Sequence, residues 1–308
     1  MSRPAFRVSA WVWPGVAVAR PAPIRTPVEP FAAAVERAAQ AALLEELTTS
    51  PKPGLVTPSD RGAHADMDVA TFFASVGALR GVFAEAARLG AAGEPAGRLL
   101  ALGMTAELRM LAATGGVNTH RGAIFTLGLL AAAAGRLAAG SGLVTPATLH
   151  AEVRDVLAPA LLGRLPKDRS SHGQLVAAHT GAGGARAEAA AGFPHLFEVA
   201  LPVFEAALAG GLPRRAAAVQ CLLALVAVLP DTNLLWRGGE AGLAFAQAGA
   251  ASFLAGGGVE REGWEAEALA LHRAFVDRRL SPGGSADLLA AALLVHRLTG
   301  PATVEARP

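Results

Sequence analysis

FAAAVERAAQAALL, residues 31–44, sets apolar side chains at Phe31, Val35, Ala38 and Ala42. Steps of three and four residues line one face of an α-helix, whereas a strand would need strict alternation. The same spacing returns in Phe72, Val76, Leu79 and Phe83. Alanine and leucine dominate these segments, and alternating β-branched runs closed by hairpin turns are missing. The fold expected is therefore all-α. Helix starts are expected at Asp68 ahead of VATFF, at Thr145-Pro146 ahead of ATLHAEV and at Ser285 ahead of ADLLAAALLVHRL, each a capping or first-turn residue. Gly90, Gly115 and Gly300 are the expected ends. No repeat of fixed period and no linker divides the chain, which implies one domain of about ten helices over residues 31–300. Residues 1–30 are expected to form a Pro-rich, disordered extension and 301–308 a tail.

A chain of 308 residues buries a sizeable core without covalent staples. Its single cysteine, Cys221 in VQCLLALVAVL, reads as a small buried hydrophobe in a protein of the reducing cytoplasm. Formal net charge is only +2, aromatic residues are 5% and tyrosine is absent, so no basic surface interleaved with base-stacking rings is expected. Nucleic acid is excluded in favour of a small charged ligand. Mean hydropathy is high at +0.39. The longest apolar runs, Gly122 to Gly135 and Ala216 to Pro230, fall short of the roughly 20 residues that span a bilayer, so no membrane span is expected. Arg3, Arg7 and the patch Trp11 to Ala19 resemble a secretory signal, but Arg20 and five surrounding prolines spoil it.

Polar residues collect in glycine-rich junctions rather than on the helices. TTSPKPGLVTPSDRGAHADMD, residues 48–68, carries Lys52, Gly54, His64, Asp66 and Asp68. Lys52 stands between Pro51 and Pro53 on a stiff backbone that suits a phosphate contact. One of Asp66 and Asp68 suits a helix cap, and the other, with His64, a hard cation or proton transfer. TGGVNTHRGAIF, residues 114–125, sets Asn118, Thr119, His120 and Arg121 at a helix start. Backbone N–H groups and Arg121 would make an anion site there, or Asn118 and Thr119 an ordinary cap. TGAGGARAEAAAGFP, residues 180–194, carries Arg186 and Glu188. DTNLLWRGG, residues 231–239, offers Asp231 and Asn233 as oxygen donors to a metal and Arg237 as a phosphate fork, although Asp231 also suits a plain cap. LSPGGSADLL, residues 280–289, holds Gly283, Gly284 and Asp287, the last suited either to a site or to its helix dipole. No P-loop, dinucleotide fingerprint, zinc spacing or nucleophile elbow occurs. His150, His172, His179, His195, His272 and His296 read as packing or surface residues.

Taken in order, KPGLV, GAHADMD, GVNTHRGAIF, GARAEA with GFP, DTN with RGG, and SPGGSADLL resemble the motif set of the triphosphoribosyl-dephospho-coenzyme A synthases, over residues 44–290. Ala65 and Arg121 stand where that family would carry lysines. Arg121 keeps the charge; Ala65 does not. The resemblance implies joining of the 2′-hydroxyl of 3′-dephospho-coenzyme A to C1 of the ATP ribose, with adenine expelled and the triphosphate kept. It implies Mg²⁺ held by Asp66, Asp68 and Asp231, with phosphates on Lys52, Arg121 and Arg237. Glu188 would be base or cation stabiliser, with Asp68 and His120 also catalytic; His64, Asn118 and His120 would orient ribose or adenine, and His120 protonate the departing base. Gly54, Thr119, Arg186, Asn233, Gly283, Gly284 and Asp287 complete the expected binding set. The product would pass to a holo-acyl carrier protein synthase serving malonate decarboxylase or citrate lyase. A homodimer is expected from the many apolar helices. Two other readings stay open: a metal-dependent helical hydrolase of a nucleotide or ADP-ribosyl bond, and a non-enzymatic helical binding protein.

Overall fold

The computed structural model describes residues 27–140, 142–165 and 183–300. His172, His179 and the first three residues of the 180–194 junction lie outside the described residues, as do 1–26 and 301–308. Among the described residues there is no strand, in agreement with the all-α expectation. Helix α1 (Val28–Thr48) begins within the expected extension and buries Ala32, Val35, Ala39, Ala42 and Leu43. The core stripe is thus set one residue away from Phe31 and Ala38, which pack only at its edge.

α2 (Val69–Ala78) and α3 (Val82–Ala91) divide the Phe72 to Phe83 pattern at Gly81, whose φ of 85° ends the helical path. Asp68 caps α2 as expected: its carboxylate accepts from the Thr71 N–H at 3.0 Å, and Thr71 Oγ1 accepts from the Asp68 N–H at 3.3 Å. α4 (Ala96–Ala113) stops just before Gly115, and α5 (Arg121–Ala139) follows the second junction. Thr145 and Thr148 cap α6 (Pro146–Glu152) reciprocally; a π-helical turn (Val153–Leu157) leads into α7 (Ala158–Leu162). Beyond come α8 (Gly184–Ala190), a second π turn (His195–Ala200), α9 (Leu201–Ala209), α10 (Arg214–Val228), α11 (Thr232–Ala255), α12 (Trp264–Asp277) and α13 (Gly283–Thr299).

Gly90 stands one residue before the end of α3, beside the expected position, but does not terminate the helix. It lies inside α3, where a Cβ would come within 1.9 Å of the Ala132 carbonyl oxygen on α5; a Cβ on Gly135 would meet the Ala87 oxygen equally closely. These two glycines let the α3 and α5 backbones touch, with a stripe of alanines between them. Ser285 lies in the first turn of α13, as expected, without capping it. The helix opens at Gly283, and Ser285 faces Asp231 instead. Cys221 is buried and donates to the Ala200 carbonyl at 3.3 Å, as a small core residue.

α5, α10 and α13 form the centre, where Leu127, Leu130, Leu222, Leu225, Leu289 and Leu293 are each fully covered. The length argument against a membrane span does not hold. α5 alone runs 19 residues at mean hydropathy 1.6, sufficient by length and composition; Val69–Ala91 passes the same measure with 23 residues at 1.3, although Gly81 divides it into α2 and α3. What covers α5 is protein: 72% of its apolar window is buried inside the fold, against 39% for 69–91.

Candidate active site

Four helix mouths meet around one buried carboxylate. Asp287, on the first turns of α13, accepts a hydrogen bond from the Ala123 N–H at the start of α5. A Cβ on Gly122 would lie 1.9 Å from its Oδ2, so glycine there makes room for the carboxylate. Asp287 therefore caps the neighbouring helix rather than its own. Burial, then the nearby charges of Glu46 and Asp231, push its carboxyl well above the ordinary range against the pull of that N–H.

Asp231 caps α11 by accepting from the Asn233 N–H at 2.9 Å. Its other oxygen accepts from the Ser285 N–H at 2.8 Å and the Ser285 hydroxyl at 2.9 Å, tying α11 to α13. Gly284 leaves space for this carboxylate and Gly283 for the Asn233 amide. Burial raises the Asp231 pKa, and the hydrogen bonds offset only part of that rise.

Glu188 reaches the same place from α8. Its Oε1 sits 2.6 Å from His195 Nδ1. Glu188, Asp231, Asp287, Gly183, Gly184 and Gly284 are among the residues lining one cavity of about 120 Å³. A larger hollow of about 400 Å³, between Leu89, Ala132, Arg136 and Arg164, takes no residue from the polar junctions and gathers no carboxylate cluster. Convergent carboxylates, not volume, mark the site. The smaller cavity is below the ~300–1,000 Å³ of sites that enclose a whole small-molecule ligand, so a nucleotide must extend out of it.

Near Asp287 lies a buried ion pair. Lys52 is 1% exposed, and its ammonium donates to the Glu46 carboxylate at 2.5 Å and the Glu46 carbonyl at 2.6 Å. Burial lowers its pKa, with Glu46 opposing. Lys52 thus spends its donors on α1, not on an exposed phosphate seat. Gly54, at φ 69°, packs with no room for a Cβ against the Leu280 carbonyl and brings the 280 loop alongside.

His120 is 3% exposed beside Lys52 and edge-on to Phe72. Thr119 donates to Ser75 Oγ at 2.8 Å, which leaves the Ser75 proton to be given to His120 Nδ1 at 2.6 Å. The neutral ring then carries its own proton on Nε2, a buried atom with no partner. Burial, aided by Lys52, lowers the imidazole to a pKa of about 3, so at neutral pH it lacks the second proton an acid would deliver. It is a hydrogen-bond donor.

His64 and Arg237 form a latch between junctions. His64 Nε2 lies 2.9 Å from Ser281 Oγ and Nδ1 3.0 Å from Arg237, whose guanidinium also donates to the Ala63 and Arg279 carbonyls. Burial and then Arg237 lower His64 to about 4. Arg121 stands at the α5 mouth, paired with Glu107 at 3.0 Å, and its N–H is capped by Asn118 Oδ1 at 3.1 Å. Arg186 lies on α8, two residues before Glu188.

The aspartates expected to share a metal are not brought together. Asp66 is exposed, 3.9 Å from His64; Asp68 caps α2 beside Arg61; Asp231 is buried in its own bonds. Among the described residues no three His, Cys, Asp or Glu side chains converge to hold a metal ion. Ser75, Glu46 and His195 escaped the sequence reading. The first two lie inside helices, and their partners, His120 and Lys52, stand 45 and 6 residues further along the chain. His195 directly follows the GFP motif, which was its one available signal.

A family model described as ATP:dephospho-CoA triphosphoribosyl transferase matches residues 32–305. A "Probable 2-(5''-triphosphoribosyl)-3'-dephosphocoenzyme-A synthase" of Pseudomonas putida is 41% identical over 263 residues, 83% of this chain and 91% of that protein. One of Acinetobacter calcoaceticus is 38% identical over 260 residues, 84% and 89% of the two chains. The 2-(5''-triphosphoribosyl)-3'-dephosphocoenzyme-A synthase of Pectobacterium atrosepticum is 40% identical over 263 residues, 83% and 86%. No solved structure gives a significant match. Matched along nearly all of its described length, the chain belongs to the ATP:dephospho-CoA triphosphoribosyl transferase family.

Proposed function

We propose that the chain transfers the 5-triphosphoribosyl group of ATP to the 2′-hydroxyl of 3′-dephospho-coenzyme A and releases adenine. The observation that carries this reading is the cavity in which Glu188, held by His195, faces Asp287, whose buried carboxyl is pushed well above the ordinary range. Breaking a ribose–adenine bond leaves positive charge on the sugar and electrons on the base, so one group must accept a proton and another give one. Glu188 takes the proton of the attacking hydroxyl. Asp287, whose carboxyl keeps its proton above the ordinary range, gives one to the leaving adenine, in place of the neutral His120. Asp231 adds negative potential beside the developing oxocarbenium centre.

The triphosphate is a handle, and it lies outside the small cavity. Arg121 at the α5 mouth holds it, exchanging Glu107 for phosphate, with the helix N–H groups behind. Mg²⁺ takes only one or two protein carboxylates when it arrives on a nucleotide. Exposed Asp66 is the most open of the three expected aspartates. Bound there, the ion would neutralise phosphate charge. The product would serve a holo-acyl carrier protein synthase of malonate decarboxylase or citrate lyase, and a cytoplasmic location suits these substrates.

The test is chromatography of purines after incubation with ATP, with and without 3′-dephospho-coenzyme A. Adenine appearing only with both substrates is the expected result. Nucleotide breakdown at equal rate without the acceptor would make the chain a hydrolase.

A further inference from the structure

Between α8 and the second π turn the chain reverses sharply. Gly192 has φ 80° and Phe193 φ 62°, a left-handed conformation that a phenylalanine adopts only under constraint. The constraint is visible: the Phe193 ring is wholly buried, and its N–H donates to the Glu188 carbonyl at 2.6 Å. His150 Nδ1 bonds the Gly192 carbonyl at 2.8 Å from the other side. The turn brings His195 back against Glu188, with Nδ1 to Oε1 at 2.6 Å and the His195 N–H to Oε2 at 3.4 Å. Both carboxylate oxygens are thereby oriented by one residue. A backbone held in an uncommon conformation so that an imidazole meets a cavity carboxylate is more than packing requires.

The geometry points to His195 as a positioning residue of the transfer reaction: it fixes the Glu188 carboxylate in the cavity and, when neutral, leaves that carboxylate free to act as the base. The role rests on the transfer proposed above. With Nδ1–H facing Oε1, the ring keeps that proton in both of its states, and the second proton enters and leaves at Nε2. In the step itself the acceptor oxygen bonds to C1 of the ribose as the C1–adenine bond breaks. Adenine leaves with that electron pair and gains a proton, the hydroxyl proton passes to Glu188, and water later removes it. An imidazolium at His195 draws charge from Glu188 and weakens it as a base. The charges bearing on His195 are Glu188 on α8 and Glu198 on its own turn; hydrogen bonding to Glu188 leads in raising its pKa, against burial. Arg154 and His150 pack at Gly192, behind the turn.

Two measurements on the full chain test this. In ligand-free protein, NMR of the His195 ring should show a pKa above that of a free imidazole, falling in Glu188→Gln because the stabilising anion is lost. In turnover, His195→Ala should lower kcat at pH 7.5 by about 10- to 100-fold with KM for ATP within about twofold. His195→Asn, whose amide can replace the Nδ1–H donor, should recover most of kcat. The rise of kcat with pH at the His195 pKa should vanish in that variant. Wild-type kcat in folded His195→Ala, or the same pH profile in all three proteins, overturns the proposal, as does a His195 pKa indifferent to Glu188→Gln. A wild type that releases no adenine from both substrates defeats the transfer reading instead, and the NMR comparison still decides whether the pair exists.

Discussion

Glu188→Gln preserves shape and hydrogen bonding while removing charge. A general base contributes about 10²–10⁴-fold, so kcat should fall by at least about 100-fold while ATP still binds. Unchanged turnover in a protein of lower melting temperature would return Glu188 to a purely structural pairing with His195. Arg121→Ala removes a charge-assisted phosphate contact worth about 1.5–3 kcal/mol, so ATP should bind about tenfold more weakly or worse, with helicity by circular dichroism unchanged. Because Glu107 competes for the same guanidinium, Glu107→Gln should leave ATP affinity equal or tighter. His120 gives a pH signature. Its folded pKa, about 3, lies below the unfolded value, so the folded state resists protonation. Its share of stability is complete above about pH 6.5 and is lost as pH falls toward 3, by up to about 1.4 kcal/mol per unit. The unfolding free energy should therefore drop more steeply between pH 6.5 and 4.5 in the wild type than in His120→Gln. Equal slopes would mean that the ring is already charged or exposed.

Elements meet in this fold through glycine. Gly122→Ala thrusts a methyl into Asp287, and the carboxylate must leave the α5 mouth. Activity should fall at least about tenfold, by more than the loss of stability explains, since only the far end of one side chain has to move. Gly90→Ala meets backbone, not a side chain. Forcing α3 from α5 should cost about 1–3 kcal/mol or more in chemical denaturation, with catalytic constants of the surviving folded protein unchanged. What was legible at this scale was whatever depends on neighbours in the chain. Asp68 and Thr145 are caps because their partners, Thr71 and Thr148, sit three residues on. What Gly90 and Ser285 do was not legible, because their partners, Ala132 and Asp231, lie on other helices.

At the scale of the whole molecule, the five polar junctions were legible as a set, since glycine and charge have no reason to collect between apolar helices by chance. Their roles were less so. Lys52 reads as a surface phosphate contact until its bonds to Glu46 are seen, and three aspartates read as one metal centre until two prove to be helix caps. Magnesium should still be required, carried on the triphosphate: excess EDTA should abolish turnover and added Mg²⁺ restore it, while full activity under chelation would remove the ion from the account. The central claim is that the triphosphate crosses intact to the coenzyme A precursor. Mass spectrometry of the product made from 3′-dephospho-coenzyme A and ATP labelled with ¹⁸O in the γ-phosphate tests it directly. The account predicts one adduct retaining all of the label, formed in step with adenine. Label recovered as free phosphate or pyrophosphate, with no labelled adduct, would contradict it.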